Sequence, residues 1–357
     1  LENQIRKPYN LVSDSVIRFV LYRLEDQEHI LLCVIHHIAS DGWSLALFWN
    51  EIFGIYEAEV RGEAAALSTL PIQYADFATW QRRWFNDEVM QQQLQYWRSA
   101  LQGLAPADLP VDQKRAERQT YRGVELRRKV PAAVIQKVYE ISRLENVTPF
   151  MILLTAFYVL LSRLTGREDI AVGTPVVNRR FLELEQVIGF FVNTLVARVN
   201  LAGNPSFRDV LERVRAMMLD IFDHQEMPFE KLVEDLQLER QPNRTPFFQA
   251  FFNFIPRQSE RFELVSLQAE RVYLVERSAK FDFTLYVIES SSGMELDLTY
   301  NADLFSHIHM DELLNQYLSV LAQSMEEQNL SINSFSLVTD NARRILPDPG
   351  KELPEPE

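Results

Sequence analysis

Two adjacent histidines, followed by an aspartate and a glycine, are the residues of this sequence best suited to chemistry. They stand in the run 35–44, IHHIASDGWS, after an apolar segment and before a helix-like one. If the strand before this run persists to it, neighbouring side chains point to opposite faces, so one histidine should anchor the core and the other remain available for chemistry. Asp41 can fix the loop by a hydrogen bond or an arginine pair, and Gly42 permits a close backbone approach.

The helix predicted after Gly42 bears on the protonation of a histidine beside it. Free N–H groups and the positive end of the helix dipole disfavour a protonated imidazole nearby. A neutral histidine can accept a proton or a hydrogen bond from an attacking amine. The run therefore favours a histidine that acts on an amine nucleophile.

Other interpretations of the histidine pair stay open on spacing alone. The pair fits two satisfied core residues about as well as a catalytic site. No metal is expected, because the remaining histidines (His29, His224, His307 and His309) show no ligand spacing with the pair. The sequence has no G-x-S-x-G elbow for a serine nucleophile. Cys33 lies within an apolar run and is interpreted as an inert core thiol.

The elements that must position the run 35–44 can be predicted on both sides of it. Segments 16–24 and 29–35 are β-prone and joined by polar residues, which predicts a hairpin. Apolar residues then recur at helical spacing until Gly62. A second helical stretch covers 74–101, and a break rich in proline and charge follows at 103–123.

Beyond the break, the pattern predicts helices over 131–144 and 148–164, the second buried because its apolar residues surround the axis. Ser206 and Asp209 have capping-box spacing before another helix. Segments 169–177, 247–254 and 281–288 are strand-like. Strands and helices mix without a regular βαβ rhythm, which predicts an α/β or α+β fold with a mixed sheet.

The composition excludes several classes of function. The 357 residues carry 36 Lys and Arg against 50 Asp and Glu, a net charge of −14, so no binding to nucleic acid or an anionic membrane is expected from net charge. The single cysteine excludes an internal disulfide and favours a reducing, cytoplasmic location. The longest apolar run, 150–161, is shorter than the ~20 residues of a membrane span. Since the chain starts without methionine, we expect a piece of a longer protein.

Five segments follow one another in an order that matches a known family. They are 36–42 (HHIASDG), 74–80 (YADFATW), 188–198 (IGFFVNTLVAR), 224–230 (HQEMPFE) and 244–249 (RTPFFQ). They resemble the motifs of the condensation domains of nonribosomal peptide synthetases, above all the family's His-His-x-x-x-Asp-Gly motif. They follow the family's order between residues 36 and 249, which makes the resemblance specific.

The resemblance implies a fold of two chloramphenicol-acetyltransferase-like subdomains in a V-shaped pseudo-dimer, with the active site in a tunnel between them. Residues 1–110 would be the C-terminal part of an incomplete first subdomain and 111–123 a crossover linker. Residues 124–345 would be the second subdomain, and 346–357 a linker or tail. Donor and acceptor peptidyl carrier proteins would present thioesters on phosphopantetheine arms, next to an adenylation domain. No cofactor would bind to the domain directly.

The resemblance also implies roles for individual residues. His37 would be catalytic, as a base or a positioning group, and Gly42 would place its backbone near the reacting end of the acceptor. His36 and Asp41 would be structural. The family's upstream arginine-bearing motif is absent, so Arg179 is a candidate partner for Asp41. Asn193 and Ser44 are expected to line the tunnel.

Related functions remain as alternatives. An epimerization domain carries a similar histidine motif, and a noncatalytic carrier-docking module is the alternative from another class. The heterocyclization subtype has aspartates in place of the histidines, and plant-type acyltransferases add an Asp-Phe-Gly-Trp-Gly segment that this sequence lacks. Residues 39–40 and 43–44 most resemble the condensation subtype that takes an L-configured donor.

Overall fold

The computed structural model describes residues 1–105, 108–236, 241–256, 261–264, 267–272 and 278–345, so the predicted tail lies outside the described residues. The helices are α1 (Glu2–Ile5), α2 (Gly42–Arg61), α3 (Tyr74–Trp84), α4 (Asp87–Leu101), α5 (Ala132–Leu144), α6 (Pro149–Thr165), α7 (Phe207–Asp223), α8 (Phe229–Asp235), α9 (His307–Glu326) and α10 (Asp340–Ile345). The strands are β1 (Ile17–Arg23), β2 (His29–Ile35), β3 (Gly123–Lys129), β4 (Asp169–Val176), β5 (Asn193–Asn200), β6 (Ala250–Ile255), β7 (Arg261–Leu264), β8 (Leu267–Glu270), β9 (Phe283–Ser290) and β10 (Gly293–Asn301).

The chain forms two compact units, each built from separate stretches of sequence. The first comprises Leu1–Met90, Val176–Asn193 and Arg261–Glu270, and the second comprises Gln91–Pro175, Thr194–Glu260 and Arg271–Glu357. The subdomain borders that the resemblance implies stay predictions.

The second unit is organised around a six-stranded sheet with the order β3-β10-β9-β6-β4-β5. β10 runs antiparallel to β3 and β9, whereas β6 runs parallel to β9 and β4, which confirms the predicted mixed sheet. Helix α6 lies in the core of this unit, and residues 151–162 are all buried, as its apolar pattern predicts. Its ends follow the local signals: Thr148 accepts a hydrogen bond from the Met151 N–H, and Gly166 closes the helix at φ +67°.

In the first unit, the predicted hairpin and helix follow the short helix α1. β1 and β2 pair antiparallel from Ile17↔Ile35 to Arg23↔His29. Helix α2 ends at Gly62, whose φ of +71° places it in the left-handed region, and whose N–H donates to Ala58 O.

The helical stretch predicted over 74–101 is two helices, α3 and α4, which are separated by two residues. The Asn86 side-chain oxygen accepts hydrogen bonds from the N–H groups of Glu88 and Val89, at 3.1 and 3.2 Å. An asparagine in this position starts a new helix, because its side chain competes with the backbone for those N–H groups. The spacing of the aromatic residues predicts one continuous helical stretch, because it carries no information about the Asn86 cap that starts α4.

No single helix of the described chain is long and apolar enough to cross a membrane. Helices α5 and α6 reach that length and hydropathy only as a pair, and a bend of 112° separates them.

Buried carboxyl groups lie on one face of the β3–β10 ladder. Asp297 is 7% exposed, and its Oδ2 lies 3.3 Å from Arg127 Nε, whereas its Oδ1 has no hydrogen-bond partner. Glu125 and Glu295 also lie within ion-pair distance of Arg127. Burial, followed by the charge of Glu125, raises the pKa of Asp297 to about 7, and Arg127 only partly opposes this shift.

We expect Asp297→Asn to stabilise the protein more at about pH 7.5 than at about pH 5. Between the unfolded pKa of 3.8 and the folded pKa of about 7, the folded state binds more protons. The contribution of Asp297 to the free energy of unfolding therefore falls as the pH rises through this range, and asparagine removes that fall. Urea unfolding of both proteins at the two pH values measures the difference. An equal effect of the substitution at both values would contradict this assignment.

Candidate functional site

The two histidines lie in a tight turn between β2 and α2. The strand ends at Ile35, and His37–Ala39 form a short 3-10 helix with His36 as its N-cap. His36 Nδ1 accepts a hydrogen bond from the Ile38 N–H at 3.1 Å, and its ring packs edge-on against Tyr9. His36 is half-buried and His37 is exposed. Because the strand stops first, a turn and not strand alternation separates the two rings.

Asp41 is the N-cap of α2 and is almost fully buried. Its Oδ1 accepts hydrogen bonds from the Ser44 N–H at 2.8 Å and from Arg179 Nη2 at 3.3 Å, and its Oδ2 accepts one from the Phe191 N–H at 3.0 Å. Burial acts to raise the pKa of Asp41, but these hydrogen bonds and the Arg179 charge outweigh it and hold the pKa below its usual value. A carboxylate so engaged is poorly suited to accept a proton.

Ser44, on the first turn of α2, is fully buried and uses its whole hydrogen-bonding capacity. Its Oγ donates to Gly189 O at 2.8 Å, and it accepts from the Gly189 N–H at 3.0 Å and from Arg179 Nη2 at 2.7 Å. The serine hydroxyl therefore fastens the helix start to the backbone around residue 189.

Arg179 is the cation at the centre of this cluster, and its side chain is 2% exposed. Besides Asp41 and Ser44, its guanidinium donates to the backbone oxygens of Leu184 and Val187. It also lies over the Phe191 ring, with Cζ 4.0 Å from the ring centroid. Burial lowers the pKa of Arg179, and Asp41 opposes that effect. The structure thus pairs Asp41 with an arginine that lies 138 residues away in the sequence.

Residues 189–191 carry the rest of the site. Tyr74 donates its hydroxyl hydrogen bond to Phe190 O at 2.9 Å, and its ring meets that of Phe191 edge-on at 5.1 Å. A Cβ on Gly189 would lie 2.2 Å from the Tyr74 ring, so only glycine allows this approach. The Phe190 ring lies edge-to-face with His37, with centroids 5.1 Å apart.

The structure brings most of the predicted site residues into one cluster. Asp41, Ser44 and Arg179 form its buried base, while His37 and Gly42 are exposed on the turn above it. Asn193, the first residue of β5, is half-buried and lies two residues beyond Phe191. From the sequence motifs alone, no contact of Phe190 is predicted, and Tyr74 is expected only to pack against its neighbours. The signal for both lies within the segments 74–80 and 188–198.

The exposed His37 imidazole lies next to a buried cluster in which the charges of Asp41 and Arg179 neutralise each other. The His37 side chain on the turn is exposed to solvent or to a substrate. Gly42 is exposed at the start of the long helix α2, whose N-cap carboxylate, Asp41, already accepts the Ser44 N–H hydrogen bond. Among the described residues, no group of three or more His, Cys, Asp or Glu side chains could hold a metal ion.

Known proteins match this chain over nearly its whole length. The family model described as Condensation domain matches residues 1–346. A linear gramicidin synthase of Brevibacillus parabrevis is 39% identical over 348 residues, which is 97% of this chain and 7% of that protein. Malpinin synthetase of Mortierella alpina is 35% identical over 348 residues, which is 97% of this chain and 4% of that protein. The chain therefore spans a small fraction of these relatives.

Solved structures share the fold. The teicoplanin-biosynthesis X-domain, solved in complex with OxyB, is 26% identical with a TM-score of 0.83, over 94% of this chain and 75% of that chain. The four-domain nonribosomal peptide synthetase holo-AB3403, bound to AMP and glycine, is 22% identical with a TM-score of 0.85, over 95% of this chain and 27% of that chain.

Proposed function

This chain belongs to the condensation domain family, and we propose that it forms an amide bond between two carrier-bound substrates. The amine nitrogen of an aminoacyl thioester attacks the carbonyl carbon of an acyl or peptidyl thioester. The new C–N bond forms as the C–S bond breaks, the donor carrier leaves as a thiol, and the amine loses one proton. The elongated chain stays on the acceptor carrier.

The observation that carries this proposal is the contrast between His37 and Asp41. His37 is exposed at the turn, whereas Asp41 is 3% exposed and fully engaged with backbone groups and Arg179. We assign the chemistry at the amine to His37, as general base or as positioning group. A general base contributes roughly 10²–10⁴-fold, and aligning two reactants about 7–11 kcal/mol, so either role is sufficient to matter.

The remaining residues receive supporting roles. Gly42 places its backbone near the acceptor's reacting end, and Asn193 contacts substrate. Ser44 supports the helix start instead of lining a tunnel, because its hydroxyl has no capacity left for a ligand. His36, Asp41 and Arg179 hold the turn in place.

We further propose the setting in which the domain works. Its partners are donor and acceptor peptidyl carrier proteins with phosphopantetheine arms, and an adenylation domain lies in the same cytoplasmic synthetase. The donor is L-configured, and no cofactor binds to the domain itself. Since the chain carries a net charge of −14, docking of acidic carriers depends on local arginines or apolar contacts.

The test is a single-turnover reaction between two loaded carrier proteins, followed by mass spectrometry. An amide product on the acceptor carrier supports condensation. Exchange of the donor α-hydrogen with deuterium oxide, without chain growth, would instead identify an epimerization domain.

A second candidate, a noncatalytic docking module, is favoured by the similarity to the X-domain that was solved in complex with OxyB. Carrier binding without either reaction in the same assay would identify such a module and contradict the proposal. Product formation that depends on His37 would exclude it.

A further inference from the structure

Phe190 is held by hydrogen bonds of its own backbone and of both neighbouring residues. Before it, the N–H and the oxygen of Gly189 both bind Ser44 Oγ. After it, the Phe191 N–H donates to Asp41 Oδ2 at 3.0 Å. Its own carbonyl oxygen accepts the Tyr74 hydroxyl hydrogen bond at 2.9 Å. The backbone that carries the Phe190 ring is therefore fixed to the same turn and helix start that carry His37.

From this fixed backbone, the Phe190 side chain packs against the His37 ring. Its ring lies 5.1 Å from the His37 imidazole, centroid to centroid, with an interplanar angle of 85°. This is the preferred edge-to-face arrangement of aromatic rings. Phe190 is 39% exposed, so its ring is not part of the buried core and packs against His37 near the surface.

An exposed imidazole needs such a contact to stay in one orientation. His37 is exposed, and a rotation about its side-chain torsions would move the ring nitrogens away from a bound amine. A ring packed edge-on against the imidazole limits that rotation. It also excludes water from one side of the group that must meet the amine.

We propose that Phe190 is a positioning residue that orients the His37 imidazole for reaction with the acceptor amine. This inference rests on the proposed function of His37. Tyr74, Ser44 and Asp41 take part indirectly, because their hydrogen bonds fix the backbone of residues 189–191.

The test compares Phe190→Leu with Phe190→Tyr and with a matched control, Phe181→Leu. Leucine keeps the apolar bulk but removes the ring, whereas tyrosine keeps the ring. Phe181 lies in the same stretch of the first unit, Val176–Asn193, and is 47% exposed. It packs edge-on against Trp80 at 5.4 Å instead of against His37. The control therefore makes the same chemical change in an equivalent aromatic pair.

Two readouts are needed, and the first is kinetic. We expect Phe190→Leu to lower kcat roughly 10- to 100-fold, with KM for the loaded carriers changed by less than about threefold. Phe190→Tyr and Phe181→Leu should keep kcat within about threefold of the parent. The second readout is the NMR relaxation of the His37 ring in histidine-labelled protein, which reports the mobility of the ring; the signal is assigned by its loss in His37→Ala. The His37 ring should become more mobile in Phe190→Leu and keep the parent's mobility in Phe181→Leu.

The outcomes separate this inference from the proposed function. An unchanged mobility of the His37 ring in Phe190→Leu, or a Phe190→Leu variant with the parent's kcat, would overturn the positioning role while leaving condensation intact. A fall in kcat as large in Phe181→Leu would also overturn it. If the parent forms no amide at all, the proposed function fails, and the NMR comparison still decides whether Phe190 orients His37.

Discussion

Replacing His37 by alanine is expected to lower the rate of amide formation by roughly 10²–10⁴-fold, the range of a general base. Alanine removes the exposed imidazole of the turn, while the buried support of Asp41, Ser44 and Arg179 stays intact. The fold and carrier binding should therefore remain near those of the parent. Single-turnover transfer between two loaded carriers measures the rate, and circular dichroism measures the fold.

His36→Ala is the matched control, because it makes the same change one residue earlier. His36 accepts the Ile38 N–H hydrogen bond at a solvent-exposed position, so its loss should cost about 0.5–1.5 kcal/mol, the net contribution of an ordinary hydrogen bond. We expect His36→Ala to lower the melting temperature before it lowers the rate. A His37→Ala variant within about threefold of the parent rate would remove His37 from the chemistry. If His36→Ala lost transfer at an unchanged melting temperature, His36 would be the residue that acts on the amine and His37 the structural one.

Elements with local signals were predicted from the sequence. Helix α6 carries its own start and stop, Thr148 with Pro149 and then Gly166, and the Ser206–Asp209 capping box marks the start of α7. The hairpin β1–β2 follows from two β-prone segments and a short polar connection. In each case the residues that determine the element lie within a few positions of it.

Apart from the Asp41–Arg179 pair, which was suggested by the absence of the family's upstream arginine, contacts between distant residues were not predicted in this way. β10 went unassigned, although it pairs along its length with β3, more than 160 residues earlier. The Ser44–Gly189 and His37–Phe190 contacts join two short segments separated by about 145 residues of chain. No local pattern reports such a pairing. The resemblance singled out both segments, but not that they meet.

The buried ion pair beneath the turn gives the largest expected effect on stability. We expect Arg179→Met to lower the free energy of unfolding by about 3–5 kcal/mol, because it leaves Asp41 as an uncompensated buried charge. The substitution also removes the hydrogen bonds from Arg179 to Ser44 and Val187 and the cation–π contact with the Phe191 ring. Since the pKa of Asp41 is lowered, its stabilising contribution is present at neutral pH and is lost only in acid.

Arg23→Met is the matched control for this substitution. Arg23 pairs with Asp26 in the same unit, but the two side chains are 66% and 87% exposed, so its loss should cost less than about 1 kcal/mol. Urea unfolding of both variants and the parent measures the difference. The double variant Asp41→Asn/Arg179→Met should be less destabilised than the sum of its single variants, because the unpaired charge is then gone. If Arg179→Met costs no more than Arg23→Met, the pair does not hold the turn, and the support of His37 must come from the Ser44 and Tyr74 hydrogen bonds alone.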